Sequence, residues 1–227
     1  MSRNRQRREA ERLTFSYGLS KPLALQVVRG QLDLTEALRQ DKQEKTIERL
    51  VNDHDLHHSL AVQISRGDLD ETEVINRVYG KRTIEANQDR SIWNDALSEQ
   101  AQVQIHLHNQ EYKAIEISKV EQYDIVCADG LRIPKVNIKV AHRLNEDMTF
   151  EQQDAAPCPP IERPEKRYRL SNSRLYSFLQ SGRELQVSIL EGLICTGQLV
   201  WFNQWELGFE NVYGEFSVFR HAVTHLK

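Results

Sequence analysis

Residues 192–205 read GLICTGQLVWFNQW, and this stretch decides the fold class of the chain. Leu193, Cys195 and Trp201 stand at the two-residue period of a strand whose one face is buried. Gly197 falls on the same face, and a glycine inside a strand permits the sharp bend that lets a small sheet curl toward a barrel. The stretch therefore predicts a bent strand of a small antiparallel sheet.

The surrounding residues predict a unit of one helix, over residues 173–180, followed by five short strands. The strands are expected near residues 185–190, 193–201, 206–211, 215–220 and 222–226. The same order occurs upstream, where a helix over residues 92–99 precedes further alternating runs. These runs lie near residues 103–107, 114–120, 124–128 and 136–140. Two such units are therefore predicted, over residues 88–142 and 169–227.

A linker is predicted between the two units. Residues 143–168 carry Pro157, Pro159, Pro160 and Pro164 among many acidic and amide residues. Because proline favours extended backbone, this segment is expected to be partly extended and to let the two β units lie side by side.

A duplicated helical unit occupies residues 13–87. Residues 19–36 and 56–73 share ten identities at the same spacing, which marks a repeated supersecondary unit. Each copy predicts a short helix that ends at a glycine, Gly30 or Gly67, and a second helix that begins at an Asp or Thr cap. The region is predicted to form paired helical hairpins.

The hairpins and the segment before them each have two alternative roles. A helix-turn-helix role in DNA binding is disfavoured, since the second helices carry acidic residues that would face phosphates. Docking of a protein partner, or a structural role, is favoured instead. Residues 1–12 form an arm with five arginines, which is either a solubilising tail or an electrostatic tether for phosphate backbones.

The composition argues against several classes of protein. A net charge of −3 provides no global basic field, so any nucleic-acid contact must come from a local patch. No apolar run is long enough to span a membrane, and the first residues do not resemble a signal peptide, so a cytoplasmic location is expected. Cys127, Cys158 and Cys195 stand too far apart for a disulfide framework or a cysteine zinc motif. No catalytic motif stands out, so we predict no enzyme, no cofactor and no metal site.

Two motifs of the last unit resemble the Hfq family of bacterial Sm-like RNA chaperones. Residues 192–205 resemble the family's G-x-x-x-x-G-x-x-x-x-F-D-Q-F stretch without a gap. Residues 216–224, FSVFRHAVT, resemble its final aromatic-Lys-His-Ala-Ile-Ser signature. The resemblance implies an α+β fold in which the helical hairpins precede two Sm-like, five-stranded β-barrels, each behind a helix. The first barrel, over residues 88–142, is the more divergent copy.

The resemblance also implies binding of single-stranded, U-rich RNA in post-transcriptional regulation. The family's RNA-contacting Gln, Phe, Lys and His correspond to Gln204, Trp205, Arg220 and His221. Their chemistry suits that task, because an aromatic ring stacks on a base, an amide meets its polar edge, and a cation and an imidazole contact phosphate or ribose.

The upstream copy offers a weaker version of the same set. Gln122 and Tyr123 stand where the end of the family's Phe-Asp-Gln-Phe motif falls, and Lys139 stands in the place of its lysine. Val140 replaces the histidine. These residues are predicted either to form a second nucleotide site or to belong to a unit that only completes the assembly.

Two hypotheses for the whole protein remain. In the first it binds RNA as a homo-oligomer, since Hfq-type units form six-membered rings through sheet edges and two units per chain imply a ring of three chains. In the second the Sm-like units serve only as an assembly scaffold and the helical hairpins dock a protein partner. Residues 169–227 carry five Arg or Lys and five Glu, and this neutrality favours the scaffold.

Overall fold

The structure is a computed structural model that describes residues 3–145, 147–161 and 163–227. The chain divides into two compact units, Met1–Ile75 and Asn76–Lys227. Within the described residues it forms seven α-helices and eleven β-strands. None of the described helices combines the length and apolar character that crossing a membrane requires.

The first unit is helical and follows the repeat found in the sequence. Its helices are α1 (Arg3–Tyr17), α2 (Lys21–Val28), α3 (Leu34–His54), α4 (His58–Arg66) and the start of α5 (Glu71–Ala86). Asp33 caps α3 by accepting a hydrogen bond from the Thr35 amide at 2.8 Å, and Asp70 accepts one from the Glu73 amide at 2.8 Å. Gly67 ends α4 in the left-handed conformation, with φ 84°. The predicted basic arm is not a separate segment, because its residues 3–12 form the first part of helix α1.

The second unit contains all eleven strands. Helix α6 (Ile92–Glu99) precedes five strands, which are β1 (Gln102–Leu107), β2 (Tyr112–Val120), β3 (Asp124–Cys127), β4 (Arg132–Pro134) and β5 (Ile138–Arg143). Helix α7 (Asn172–Ser181) precedes β7 (Glu184–Ile189), β8 (Leu193–Phe202), β9 (Glu206–Asn211), β10 (Gly214–Phe219) and β11 (Val223–Leu226). The short β6 (Glu151–Gln152) lies between the two sets.

The strands form one continuous antiparallel sheet, so the prediction of two separate five-stranded barrels is wrong. The strand order is β11-β7-β8-β9-β10-β5-β1-β2-β3-β4, with β6 paired to β8, and the sheet is not closed. The junction is the pairing of β10 with β5, where Phe216 lies opposite His142 and Val218 opposite Val140. This pairing gives hydrogen-bond partners to edge backbone groups that two isolated sheets would leave exposed.

Strand β5 contributes to two hydrophobic cores at once. Val140 packs in the core beneath β7–β11, and Ala141 packs with the residues beneath β1–β4. Successive side chains of a strand point to opposite faces, so a single strand can serve both cores. The two halves are therefore joined by backbone pairing and by shared packing.

A glycine is required at position 197 mainly because a larger residue would not fit, and less because the strand bends there. A Cβ atom there would lie 2.8 Å from the Glu210 carbonyl oxygen and 3.1 Å from the Phe216 ring. The irregularity in the β8–β9 pairing falls further along, between Leu199 and Trp201. The predicted strand is therefore present, but its bulge lies between Leu199 and Trp201 and not at the glycine.

The predicted linker is partly structured. Glu151 and Gln152 pair with β8, and the Gln153 amide donates to the Gly192 carbonyl at 2.9 Å. Residues 151–153 of the linker therefore run along the edge of the sheet in the second half.

Candidate nucleic-acid interface

Four residues singled out in the sequence line one cleft. The cleft has a volume of about 290 Å³. Its lining residues are Arg167, Tyr168, Arg169, Leu170, Gln204, Trp205, Arg220 and His221. Three arginines line it, and the described lining includes no acidic residue, so the local charge is positive although the chain is net acidic.

The turn between β8 and β9 holds Trp205 out into solvent. The Asn203 side-chain oxygen accepts hydrogen bonds from the backbone amides of Trp205 and Glu206, both at 2.7 Å. The Asn203 amide group donates to the Arg90 carbonyl at 2.8 Å, which ties the turn to the segment before α6. Trp205 remains 62% exposed. A large aromatic ring is therefore presented on a backbone that is already fixed.

Arg220 acts as a clamp between the two walls of the cleft. Its guanidinium donates to the Asn203 carbonyl at 3.1 Å, to the Leu170 carbonyl at 2.7 Å and to the Asn172 side chain at 3.2 Å. Burial lowers the pKa of this guanidinium from its ordinary value. Since protein acceptors already take up much of its donor capacity, its main role here is to hold the turn against the residues before α7.

His221 lies beside the clamp and is largely buried. Burial is the main cause that lowers its pKa to about 4, and the nearby Arg167 lowers it further. The imidazole is therefore neutral at pH 7. Its Nε2 atom is buried and has no hydrogen-bond partner within the part of the chain that the structure describes. The ring therefore lines the cleft while its Nε2 atom is shielded from solvent.

The second wall of the cleft, residues 167–170, was missed by the sequence reasoning. Tyr168 stacks on His225 with ring centroids 5.5 Å apart, and its hydroxyl accepts from Arg174 at 3.1 Å. Arg169 is exposed. The run Arg-Tyr-Arg across the boundary between the predicted linker and the second unit was the available signal, because basic and aromatic residues in alternation are typical of nucleic-acid surfaces.

The upstream copy places its predicted residues differently. Gln122 and Tyr123 are exposed and share a hydrogen bond at 3.0 Å, but they do not join the cleft. Lys139 is buried, with its ammonium 2.7 Å from a carboxylate oxygen of Glu191, so it presents no free charge to a ligand.

Lys135, not Lys139, is the counterpart of Arg220 in the sheet. The Lys135 amide donates to the Tyr123 carbonyl at 2.8 Å, just as the Arg220 amide donates to the Trp205 carbonyl at 2.9 Å. In the sequence, Lys139 was matched to the family's lysine, four residues after Lys135. The match was wrong because the weak motif of the first copy does not fix the alignment of that strand. Burial lowers the pKa of Lys135 from its ordinary value.

A buried carboxyl group follows directly after Trp205. Glu206 is 5% exposed and accepts hydrogen bonds from the Ser91 hydroxyl at 2.6 Å and the Ile92 amide at 3.4 Å, at the start of α6. Burial raises its pKa to about 7, and the hydrogen bond from Ser91 opposes that rise. The turn that carries Trp205 is thus tied to α6 through a group that titrates near neutral pH.

The cleft can perform stacking, hydrogen bonding and charge neutralisation in one place. Trp205 offers a ring face, Gln204 an amide, and Arg169 an exposed cation. In comparisons with known proteins, no family model matches the chain and no curated sequence matches it.

Proposed function

We propose that this protein binds single-stranded RNA through the cleft between Trp205 and residues 167–170. The observation that carries the proposal is the convergence of Gln204, Trp205, Arg220 and His221 on one basic cleft, although they stand in two separate motifs of the sequence. The proposal is of binding alone, with no chemical step.

Each wall of the cleft has a separate task in this proposal. Trp205 stacks on a base, an interaction that contributes about 1–3 kcal/mol and tolerates any base. The exposed Gln204 meets the base edge or the ribose hydroxyl, and His221 packs beneath it as part of the cleft lining. Arg169 contacts phosphate. The preference for U-rich sequences rests on the resemblance to the Hfq family and on nothing else.

We also propose that the protein assembles with further copies of itself. Strands β4 and β11 stand at the two ends of the sheet, where each has one paired neighbour. Unpaired strand edges favour association because their backbone groups lack partners. A ring of three chains is the arrangement that the resemblance suggests. We further propose that the helical unit binds a partner protein.

RNA binding is tested by titrating the full chain into a labelled U-rich oligonucleotide and following its fluorescence anisotropy at moderate salt. We expect Trp205→Ala to weaken binding about tenfold or more, as loss of one stacked base requires. Tyr112→Ala is the matched control, since Tyr112 is 72% exposed but lies outside the cleft. Absence of binding by the unaltered protein, or equal effects of the two variants, would reject the proposal.

The second candidate is an assembly scaffold that does not bind RNA. The observation that favours it is the equal number of basic and acidic residues over residues 169–227. The scaffold predicts a defined oligomer whose mass, measured by light scattering, does not depend on RNA. It gains if the oligomer forms while the oligonucleotide titration remains flat.

A further inference from the structure

A second cluster of polar side chains lies away from the Trp205 turn. It consists of His108 in the turn after β1, Cys158 in the linker and Glu191 in the turn after β7. One potential ligand atom from each residue lies within 4.8 Å of the other two. Sequence gives little hint of this cluster, since His108 and Cys158 stand 50 positions apart and Cys158 and Glu191 stand 33 apart.

The cluster is enclosed, and one of its groups has unused bonding capacity. His108 is 6% exposed and Glu191 is 4% exposed, whereas Cys158 is half-buried. The Nδ1 atom of His108 donates a hydrogen bond to the Cys158 carbonyl oxygen at 3.2 Å and lies 4.0 Å from a carboxylate oxygen of Glu191. Its Nε2 atom is buried without a hydrogen-bond partner among the described residues. With Nδ1 paired, Nε2 carries the lone pair of the neutral ring, and this unpaired atom calls for an explanation because buried polar atoms are nearly always paired.

The carboxylate of Glu191 is oriented before any ligand arrives. Lys139 holds one oxygen at 2.7 Å, assisted by the Gln110 amide at 3.3 Å. The other oxygen accepts from the Cys158 amide at 2.9 Å and is the one nearer to His108. Carboxylates that ligate metal ions are themselves held by hydrogen bonds of this kind.

We propose that His108, Cys158 and Glu191 bind a divalent cation of the zinc type. Nitrogen, thiolate sulfur and carboxylate oxygen form the donor set that Zn²⁺ accepts, and three protein ligands leave a fourth position for water. Binding replaces the S–H bond of Cys158 by an S–Zn bond and releases the proton to solvent, so no oxidant or reductant is needed. Lys139 stays on the outer oxygen of Glu191.

Such an ion would join three segments that are distant in sequence. It would connect the turn after β1, the linker and the turn after β7, and would therefore stabilise the packing of the linker on both halves of the sheet. Even without a metal ion, both carboxylate oxygens of Glu191 accept hydrogen bonds from protein donors. The proposal therefore rests on the enclosed geometry and the thiol, not on an unpaired acid.

The test uses Co²⁺ as a spectroscopic substitute for Zn²⁺ in the full, reduced chain. We expect one Co²⁺ ion to bind per chain and to give a thiolate-to-metal absorption band. Added Zn²⁺ should displace the Co²⁺ and remove the band. Cys158→Ser should abolish the band, and Cys127→Ser, which alters a buried thiol of the other core, should leave it unchanged. A band that survives Cys158→Ser, or no band at all, overturns the proposal.

A second measurement does not depend on any variant. Alkylation of the unaltered protein by iodoacetamide, followed by peptide mass spectrometry, should modify Cys158 in the absence of metal and spare it when Zn²⁺ is present. Cys127 and Cys195 are buried and serve as internal references. Equal modification of Cys158 with and without Zn²⁺ refutes the site, and RNA binding by the cleft is unaffected by either result.

Discussion

The turns at Trp205 and Tyr123 have equivalent backbone hydrogen bonds at the aromatic residue, but their surroundings differ. Both aromatic rings are exposed, at 62% and 73%, and both turns accept a hydrogen bond from the residue after a strand, Arg220 or Lys135. Around Trp205 a second wall, which includes the exposed Arg169, completes a cleft. The difference shows that a shared turn alone does not make a binding site, because the second wall has to come from elsewhere in the chain.

Charge compensation separates the two turns further. Near Tyr123, Arg132 forms ion pairs with Glu121 and with Asp124, the latter at 3.2 Å, and Lys119 contacts Glu121 at 3.0 Å. Cations that are already paired with carboxylates attract phosphate less strongly. The first copy is therefore expected to contribute less to RNA binding than the second.

The largest effect is expected from removing the clamp. Arg220→Met should lower the free energy of unfolding by about 5 kcal/mol, the lower end for three hydrogen bonds from a charged donor at roughly 1.5–3 kcal/mol each. Lys135→Met, the counterpart in the first copy, should cost less than about 1 kcal/mol. Urea unfolding of the two variants measures the contrast, and equal losses would mean that Arg220 is no clamp.

The acidic residues that follow the two aromatic rings should differ in their pH dependence. The pKa of Glu206 is raised from 4.5 to about 7 by burial, so its protonated form stabilises the folded state. Stability from this group is fully present below about pH 4.5 and is lost as pH rises to about 7, a change of about 3 kcal/mol. Lys135 is the cation that faces it, and it limits the loss.

Glu206→Gln should flatten this part of the stability curve. Asp124→Asn is the matched control, because Asp124 follows Tyr123 but is partly exposed and paired with Arg132. Thermal unfolding at pH 5, 6 and 7 measures the difference between each variant and the unaltered protein. A slope that Glu206→Gln leaves in place would show that another group is responsible.

The smallest effect concerns exposed arginines. Arg169→Ala should weaken RNA binding about fivefold and reduce the slope of log affinity against log salt by about 0.7, the value for one phosphate of a single strand. Arg132→Ala should change neither quantity, since its charge is already paired. Anisotropy titrations at several salt concentrations test both variants, and a shift in the Arg132 slope would contradict the comparison.

The candidate site was only partly predictable from the sequence. Gln204 and Trp205, and Arg220 and His221, stand next to each other in two motifs, so their types and spacing were visible directly. Arg167 and Tyr168 fell in the segment that proline content marked as a linker, with Arg169 directly after it, and no local pattern places a linker against a turn. Lys139 was misassigned because a one-strand pattern without a register cannot distinguish it from Lys135.

By itself, the sequence determined the local elements. The caps at Asp33 and Asp70, the glycine end of α4 and the alternating residues of β8 depend on neighbours within a few positions, so their physics is readable from the chain. Tertiary structure alone decided the joining of β10 to β5, the burial of Lys139 beside Glu191 and the gathering of His108 with Cys158. Each depends on backbone pairing or packing between residues far apart in sequence, where a local pattern carries no information about which partner is chosen.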